Sequence, residues 1–208
     1  MLEASPLQYS YSGEESLHFP EITIPEGSHH LIIGPSGCGK TTWLHLLAGL
    51  RSAQGGTIKI NGTDIVQLRP SALDAFRGNH VGMVFQTPHF VPSLNVVDNI
   101  CLAQTLSGKK KDVNKAKTIL DRLGLQSKLK QKTHSLSVGE QQRVTIARAL
   151  INDPKIIFAD EPTSALDDPN TDSVIKLLME QAEVSNATLI VVTHDNRLKS
   201  LFTNSIQL

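Results

Sequence analysis

Residues 34–41 have the sequence Gly34-Pro35-Ser36-Gly37-Cys38-Gly39-Lys40-Thr41, which fits the pattern G-x-x-x-x-G-K-[ST] of a phosphate-binding loop. The segment before it, 29–33, ends in two β-branched residues and predicts a buried strand, and 42–48 predicts a helix. Glycines let backbone N–H groups surround phosphates, and a helix N-terminus adds partial positive charge. A chance glycine turn is the alternative, but the flanking strand and helix favour a nucleotide site.

Within this loop, Lys40 is expected to reach the β- and γ-phosphates, and the Thr41 hydroxyl to ligate Mg²⁺. Thr42 is a further candidate nucleotide contact. Tyr11, upstream of the loop, is expected to return over the nucleotide and stack on adenine through its ring face. A tyrosine on an edge strand is the alternative interpretation of Tyr11.

Composition limits the partners and the compartment. Twenty basic residues balance twenty acidic ones, so charge gives no reason to expect nucleic acid or an anionic membrane as a direct partner. No apolar stretch approaches the ~20 residues of a membrane span, and no signal peptide is expected at the start. Cys38 and Cys101 do not suggest a disulfide framework. These features predict a cytosolic protein.

The length of 208 residues suits one domain. Short alternating segments before the loop predict antiparallel strands, and a helix is expected over 71–77, ending at Gly78. From 87 to 153 the pattern is helical and predicts an inserted subdomain. Its expected helices are 96–106, 112–123 and a helix through 150 that opens with a capping box at Ser137 and Glu140.

Four predicted apolar strands each end on a glycine or polar residue. The strands are 29–33, 81–85, 155–159 and 188–192, followed in turn by Gly34, Gln86, Asp160-Glu161 and, one residue later, His194. Ligands of parallel α/β sheets bind outside the carboxyl ends of the strands. We therefore expect all four ends to face one cavity around the phosphates.

The side chains at these ends suit phosphoryl transfer. Mg²⁺ prefers hard oxygen ligands, which Thr41, Asp160 and Gln86 supply or position. Glu161 is the candidate base for the attacking water, and His194 the candidate contact to the γ-phosphate. A helix-start carboxylate and a structural histidine are the alternatives. Two adjacent acids after an apolar strand favour the catalytic interpretation.

The order of these motifs resembles that of ABC transporter ATPases. The resemblance includes 34–41, Gln86, Leu136-Ser137-Val138-Gly139-Glu140, 156–161, Ser164-Ala165-Leu166-Asp167 and His194. It implies a single ABC ATPase domain over 1–208 with the α/β fold of a P-loop NTPase. Such a domain has a RecA-like core, an antiparallel β subdomain and a helical subdomain, here about 87–153.

The resemblance also implies ATP with Mg²⁺ as cofactors and a head-to-tail dimer of two copies. ATP on the loop of one copy is then covered by the signature of the other, with Ser137, Gly139 and Glu140 as candidate nucleotide contacts. Asp167 is expected in the loop that crosses the dimer interface, and Tyr11 falls at the position of the adenine-stacking aromatic. A transmembrane permease on a separate chain completes the expected assembly.

Two signature residues depart from the family pattern. Val138 replaces the usual glycine and Glu140 the usual glutamine. A β-branched residue disfavours φ > 0, so the closure of the dimer or the rate of hydrolysis depends on the backbone at Val138. Glu161 and His194 are retained, and an active ATPase is predicted.

Segments around 84–100 and 158–163 resemble the lipoprotein-releasing and macrolide-exporter group, whereas Ser164-Ala165 departs from it. The leading hypothesis is the ATPase subunit of a transporter, cytoplasmic and peripheral on the inner face of the cell membrane through its permease. Ribosome- or DNA-acting ABC proteins usually carry tandem cassettes or a coiled-coil insertion, and the sequence contains neither. A regulatory, non-transport ATPase stays open as an alternative.

Overall fold

The computed structural model describes residues 2–12, 15–164 and 168–208. Its strands are β1 Leu2–Ala4, β2 Leu7–Tyr9, β3 Leu17–Phe19, β4 Ile22–Ile24, β5 His29–Ile33, β6 Ile58–Ile60, β7 Thr63–Asp64, β8 Val81–Val84, β9 Ile156–Asp160, β10 Thr188–Thr193 and β11 Asn204–Gln207. Its helices are α1 Lys40–Leu47, α2 Pro70–His80, α3 Val96–Leu106, α4 Val113–Arg122, α5 Val138–Leu150 and α6 Asp168–Val184.

The central sheet is parallel, with strand order β11-β5-β10-β9-β8. Every residue of β9 and β10 is buried, as expected for strands covered on both faces. The carboxyl ends of β5, β9 and β10 lie side by side, because Ile33 is opposite Thr193 and Asp160 is opposite Val192. The predicted α/β class is confirmed, and its sheet places the phosphate loop next to the ends of β9 and β10.

Antiparallel strands form a second layer, as predicted. Its main sheet has the order β4-β1-β6-β7, and β2 pairs with β3. Buried residues of this layer share a core with α1 and one face of the central sheet, including Trp43 of α1 and Phe158 of β9. The layer therefore supports the helix that follows the phosphate loop.

Three helices, α3, α4 and α5, lie between β8 and β9 in the chain. The predicted bounds of α3 are confirmed, and α5 opens with the predicted capping box. Apolar residues of these helices, such as Ile100 and Val144, belong to the same buried core as Ile157 of β9. The start of α5 is therefore fixed relative to the sheet by continuous packing.

One expectation about secondary structure was wrong, and one strand was not predicted. Helix α2 continues past Gly78 to His80. Gly78 packs against Ser107 after α3, where a Cβ atom would lie 2.6 Å from the Cβ of Ser107, so this glycine allows close helix packing and does not end the helix. Strand β11 was missed because it is a short edge strand whose residues are mostly exposed and polar.

Among the described residues, no helix combines the length and the apolar character that a bilayer crossing requires.

Candidate functional site

The phosphate loop connects β5 to α1 and depends on glycine at both of its ends. Gly39 caps α1 with a φ of 98°, a left-handed conformation that favours glycine. At Gly34, a Cβ atom would lie 2.7 Å from the carbonyl oxygen of Leu208 and 2.9 Å from Cys38 Sγ. The chain therefore has space only for glycine where the loop leaves the sheet.

Lys40 is buried inside this loop. Its ammonium donates hydrogen bonds to the carbonyl oxygens of Gly34 at 2.9 Å and Pro35 at 2.7 Å. These contacts hold a positive charge within the loop, beside the N-terminus of α1. Both features attract a phosphate group.

Thr41 and Asp160 bring two hard oxygen atoms together between α1 and β9. The Thr41 hydroxyl donates to Asp160 Oδ1 at 2.9 Å, and His45 Nε2 lies 3.7 Å from Oδ2. Burial raises the pKa of Asp160 above its ordinary value, while the Thr41 hydrogen bond and the nearby His45 act in the opposite direction. A bound divalent cation would favour the ionised carboxylate.

This donor set fits Mg²⁺. No group of three or more His, Cys, Asp or Glu residues that could hold a metal occurs in the described part of the chain. Mg²⁺ is commonly held by one or two protein oxygens, with phosphates and waters completing its shell. Thr41 and Asp160 supply that number of protein ligands beside the phosphate loop.

Glu161 leaves β9 with a φ of 44°, a conformation that costs on the order of 1–3 kcal/mol for a non-glycine residue. The Glu161 residue is buried, with 8% of its surface exposed, and its carboxylate is held by the end of β10. Oε2 accepts from the Thr193 hydroxyl at 2.9 Å, Oε1 accepts from the His194 backbone N–H at 3.0 Å, and His194 Nδ1 lies 2.8 Å from Oε1. With this left-handed backbone, the Glu161 carboxylate lies against Thr193 and His194 at the end of β10.

His194 links two cavities at this edge of the sheet. One of about 310 Å³ is lined by Glu161, Thr193 and His194 among others, and one of about 400 Å³ is lined by 33–36 together with His194. Its side chain is 58% exposed, in contrast to that of Glu161. The structure thus brings together the ends of β5, β9 and β10, which are three of the four strand ends expected to share one cavity, and Gln86 after β8 lines neither of these two cavities.

Two other candidate nucleotide contacts, Gln86 and Tyr11, lie on separate parts of the fold. Gln86 follows β8, the neighbour of β9, and its side chain is exposed. The Tyr11 hydroxyl lies 2.9 Å from Thr42 Oγ1 at the start of α1, and Arg51 covers the Tyr11 ring at 4.9 Å from its centroid. Sequence reasoning missed Arg51, because the contact joins distant segments and follows no motif.

The signature lies at the N-terminus of α5. Ser137 and Glu140 form a complete capping box, with Glu140 Oε2 accepting from the Ser137 N–H at 2.9 Å. This bond, followed by the Lys128 ammonium 3.1 Å from Oε1, lowers the pKa of Glu140 below its usual value. Glutamate in place of the usual glutamine therefore retains the N-terminal cap of α5 and adds an ion pair with Lys128.

Val138 is the first residue of α5, and its φ is negative, as in a regular helix. Valine is accordingly unstrained there, and its side chain is 54% exposed. Helix α5 packs against α3, α4, α6 and β8, whereas the phosphate loop is carried by β5 and α1. Asp167 lies outside the described residues.

Comparison with known proteins gives consistent matches. A model of the ABC transporter family matches residues 17–164. Lipoprotein-releasing system ATP-binding protein LolD of Bacteroides fragilis is 34% identical and covers 100% of this chain and 97% of its own length. LolD of Cytophaga hutchinsonii is 36% identical, covering 97% and 93%.

A solved dimeric structure of MJ0796, described as a bacterial ABC transporter cassette, has a TM-score of 0.90 at 32% identity. The match covers 100% of this chain and 94% of that one. A dimeric post-hydrolysis structure of MJ0796 bound to ADP and phosphate has a TM-score of 0.88 at the same identity and coverage. From the site geometry and these matches, the chain belongs to the ABC transporter family, as one of its ATP-binding, Mg²⁺-dependent ATPase subunits.

Proposed function

We propose that this chain is the ATPase subunit of a lipoprotein-releasing type of transporter, bound at the inner face of the cell membrane to a separate membrane subunit. The relatives named LolD support the substrate class. Residues 1–208 act as one ABC ATPase domain, with 87–153 as its helical subdomain. The observation that carries the proposal is the adjacent pair Asp160 and Glu161 at the end of β9, beside Thr41 and His194.

In this proposal the described side chains divide the work of ATP hydrolysis. Residues 34–42 hold the phosphates, and Tyr11 stacks on adenine. Thr41 and Asp160, with Gln86, hold Mg²⁺, which neutralises phosphate charge when bound. Glu161 accepts a proton from water as the water oxygen bonds to the γ-phosphorus and the bond to the β–γ bridging oxygen breaks. His194 is held through Nδ1, which leaves Nε2 for the water or the phosphate.

We also propose that two copies close head to tail over ATP. Ser137, Gly139 and Glu140 of one copy then face the nucleotide on the other, and Asp167 lies at the interface. The dimeric MJ0796 structures support this arrangement. The position of the signature on α5 also supports it, because the phosphate loop lies on different elements, β5 and α1.

Val138→Gly is expected to weaken ATP-driven dimerisation, tested in the Glu161→Gln background, and to lower ATPase activity in the otherwise unchanged protein. Because φ is already negative at Val138, glycine relieves no strain and loosens the start of α5 by roughly 0.5–1 kcal/mol. Val184→Gly is the matched control, since Val184 is also exposed in a helix. A rise in both dimerisation and activity would contradict the expectation that valine stabilises the start of α5.

The membrane subunit has a candidate docking surface. A groove of about 580 Å³ lies between α2, β8 and α3 and is lined by apolar side chains that include Met83, Phe85 and Leu102. Leu106, at the end of α3, also lines the groove and is 79% exposed. Apolar patches of this kind commonly mark protein interfaces. The groove is separate from the phosphate loop, so both can be occupied together.

Leu106→Glu tests the proposed function. We expect it to abolish copurification of this chain with its membrane subunit, because a carboxylate in the groove would be desolvated on docking. ATP hydrolysis by the isolated chain should be unchanged. Val184→Glu places the same charge on α6 as a control. Undiminished copurification of the Leu106 variant would rule out this groove, and copurification of no membrane protein with the native chain would refute the transporter assignment.

A further inference from the structure

The hydroxyl of Thr193 contacts the catalytic carboxylate and lies at the last position of β10. Thr193 is 1% exposed, and its Oγ1 is 2.9 Å from Glu161 Oε2. The same Oγ1 accepts the backbone N–H of Asp195 at 3.1 Å. An ionised carboxylate can only accept, so the single hydroxyl hydrogen is directed to Glu161.

The turn after β10 fixes the position of this hydroxyl. The Asp195 carboxylate accepts from the backbone N–H of Arg197 at 2.9 Å and from its guanidinium. Thr193 itself is held in the sheet by register with Ile33 of β5. The donor to Oε2 is therefore built into the sheet and the following turn, and it does not depend on a mobile side chain.

The two carboxylate oxygens of Glu161 differ in how many further hydrogen bonds they can accept. Oε1 meets two nitrogen atoms of His194, the backbone N–H and ring Nδ1, which together occupy its two acceptor positions. Among the described residues, Oε2 accepts a hydrogen bond from Thr193 alone and retains one acceptor position. Oε2 is therefore the oxygen that is free to take a proton from water, and Thr193 sets its direction.

We infer that Thr193 is a positioning residue for ATP hydrolysis, which holds Oε2 of Glu161 in line with the attacking water. The inference rests on the proposed role of Glu161 as the base. It assigns Thr193 no contact with ATP or Mg²⁺. Loss of the hydroxyl should therefore change the chemical step and leave nucleotide binding as it is.

Thr193→Val tests this inference, because it removes the hydroxyl and nearly preserves the shape of the side chain. We expect kcat to fall by between about tenfold and a hundredfold, the effect of misplacing a catalytic group by up to 1 Å, with KM for ATP unchanged. Slow hydrolysis should let the ATP-bound dimer accumulate in size-exclusion chromatography. Thr193→Ser retains the hydroxyl and should restore most of kcat.

Thr188→Val is the matched control at the opposite end of β10. Thr188 is also 1% exposed, and its hydroxyl accepts the Gly27 N–H at 2.9 Å and lies 3.4 Å from the Pro25 carbonyl oxygen. Both variants lose a buried hydroxyl and leave one backbone N–H without its acceptor, so their thermal stabilities should fall similarly. Only the Thr193 variant should lose kcat.

The outcomes separate this inference from the proposed function. If Glu161→Gln is inactive and Thr193→Val retains native kcat, Glu161 is the base and the inference about Thr193 is wrong. An equal loss of kcat in Thr188→Val, or no recovery in Thr193→Ser, would reduce Thr193 to a structural role and overturn the inference. Near-normal hydrolysis by Glu161→Gln would refute the base assignment itself.

Discussion

Replacement of Glu161 by glutamine is expected to lower ATP turnover by about 10²–10⁴-fold, the range for loss of a general base, while ATP still binds. The amide cannot accept the proton of the attacking water. Its oxygen can still take the His194 N–H that Oε1 accepts, so the local structure should be retained. Phosphate release measures the turnover, and size-exclusion mass should show an ATP-bound dimer that no longer dissociates.

The control for this experiment is Glu183→Gln. It makes the same chemical change at the exposed end of α6, where Glu183 lies 3.7 Å from His29. Turnover of that variant should be native. If Glu161→Gln hydrolysed ATP at a near-native rate, another group would have to be the base, and the dimer would not accumulate.

Lys40→Ala should weaken ATP binding more than a hundredfold. Hydrogen bonds to charged groups contribute about 1.5–3 kcal/mol each, and loss of contacts to two phosphates corresponds to at least about 3 kcal/mol. The variant also loses the bonds from Nζ to Gly34 and Pro35 that hold the ammonium in the loop. Titration with a fluorescent ATP analogue gives the change in Kd directly.

Lys59→Ala is the control for the loss of a lysine charge. Lys59 lies on β6 with its side chain exposed, in the antiparallel layer. Its removal should leave the Kd for ATP unchanged. An unaltered Kd in Lys40→Ala would contradict the assignment of residues 34–41 as the phosphate-binding loop, whatever the motif implies.

Much of the fold was predictable because its signals are local. Continuous apolar segments that end at Gly34, Asp160 and His194 predict parallel strands, and the capping box at Ser137 predicts the start of α5. These signals arise from side-chain periodicity and from hydrogen bonds between residues three positions apart. Strand β11 carries no such signal, because it is a short edge strand whose residues are mostly exposed and polar.

The candidate site was predictable as a set of residues and less so as a set of contacts. Glu161 and His194 are predictable as polar residues at strand ends, but the Thr193 hydroxyl that donates to Glu161 is not. Threonine before a polar residue is a common end to a strand, so the sequence does not mark Thr193 as a functional residue. Likewise, the contact of the Tyr11 hydroxyl with Thr42 depends on how the antiparallel layer meets α1.

The sequence alone predicts the phosphate loop, the acids after β9 and the class of the fold, because glycine spacing and apolar periodicity are properties of adjacent residues. The three-dimensional structure is needed to show that Val138 is unstrained and that Glu161 has a left-handed backbone conformation. The contact of a β10 hydroxyl with the carboxylate of Glu161, the proposed base, also appears only in the tertiary structure. Backbone angles and contacts between neighbouring strands are set by packing of distant segments, which one-dimensional patterns do not specify.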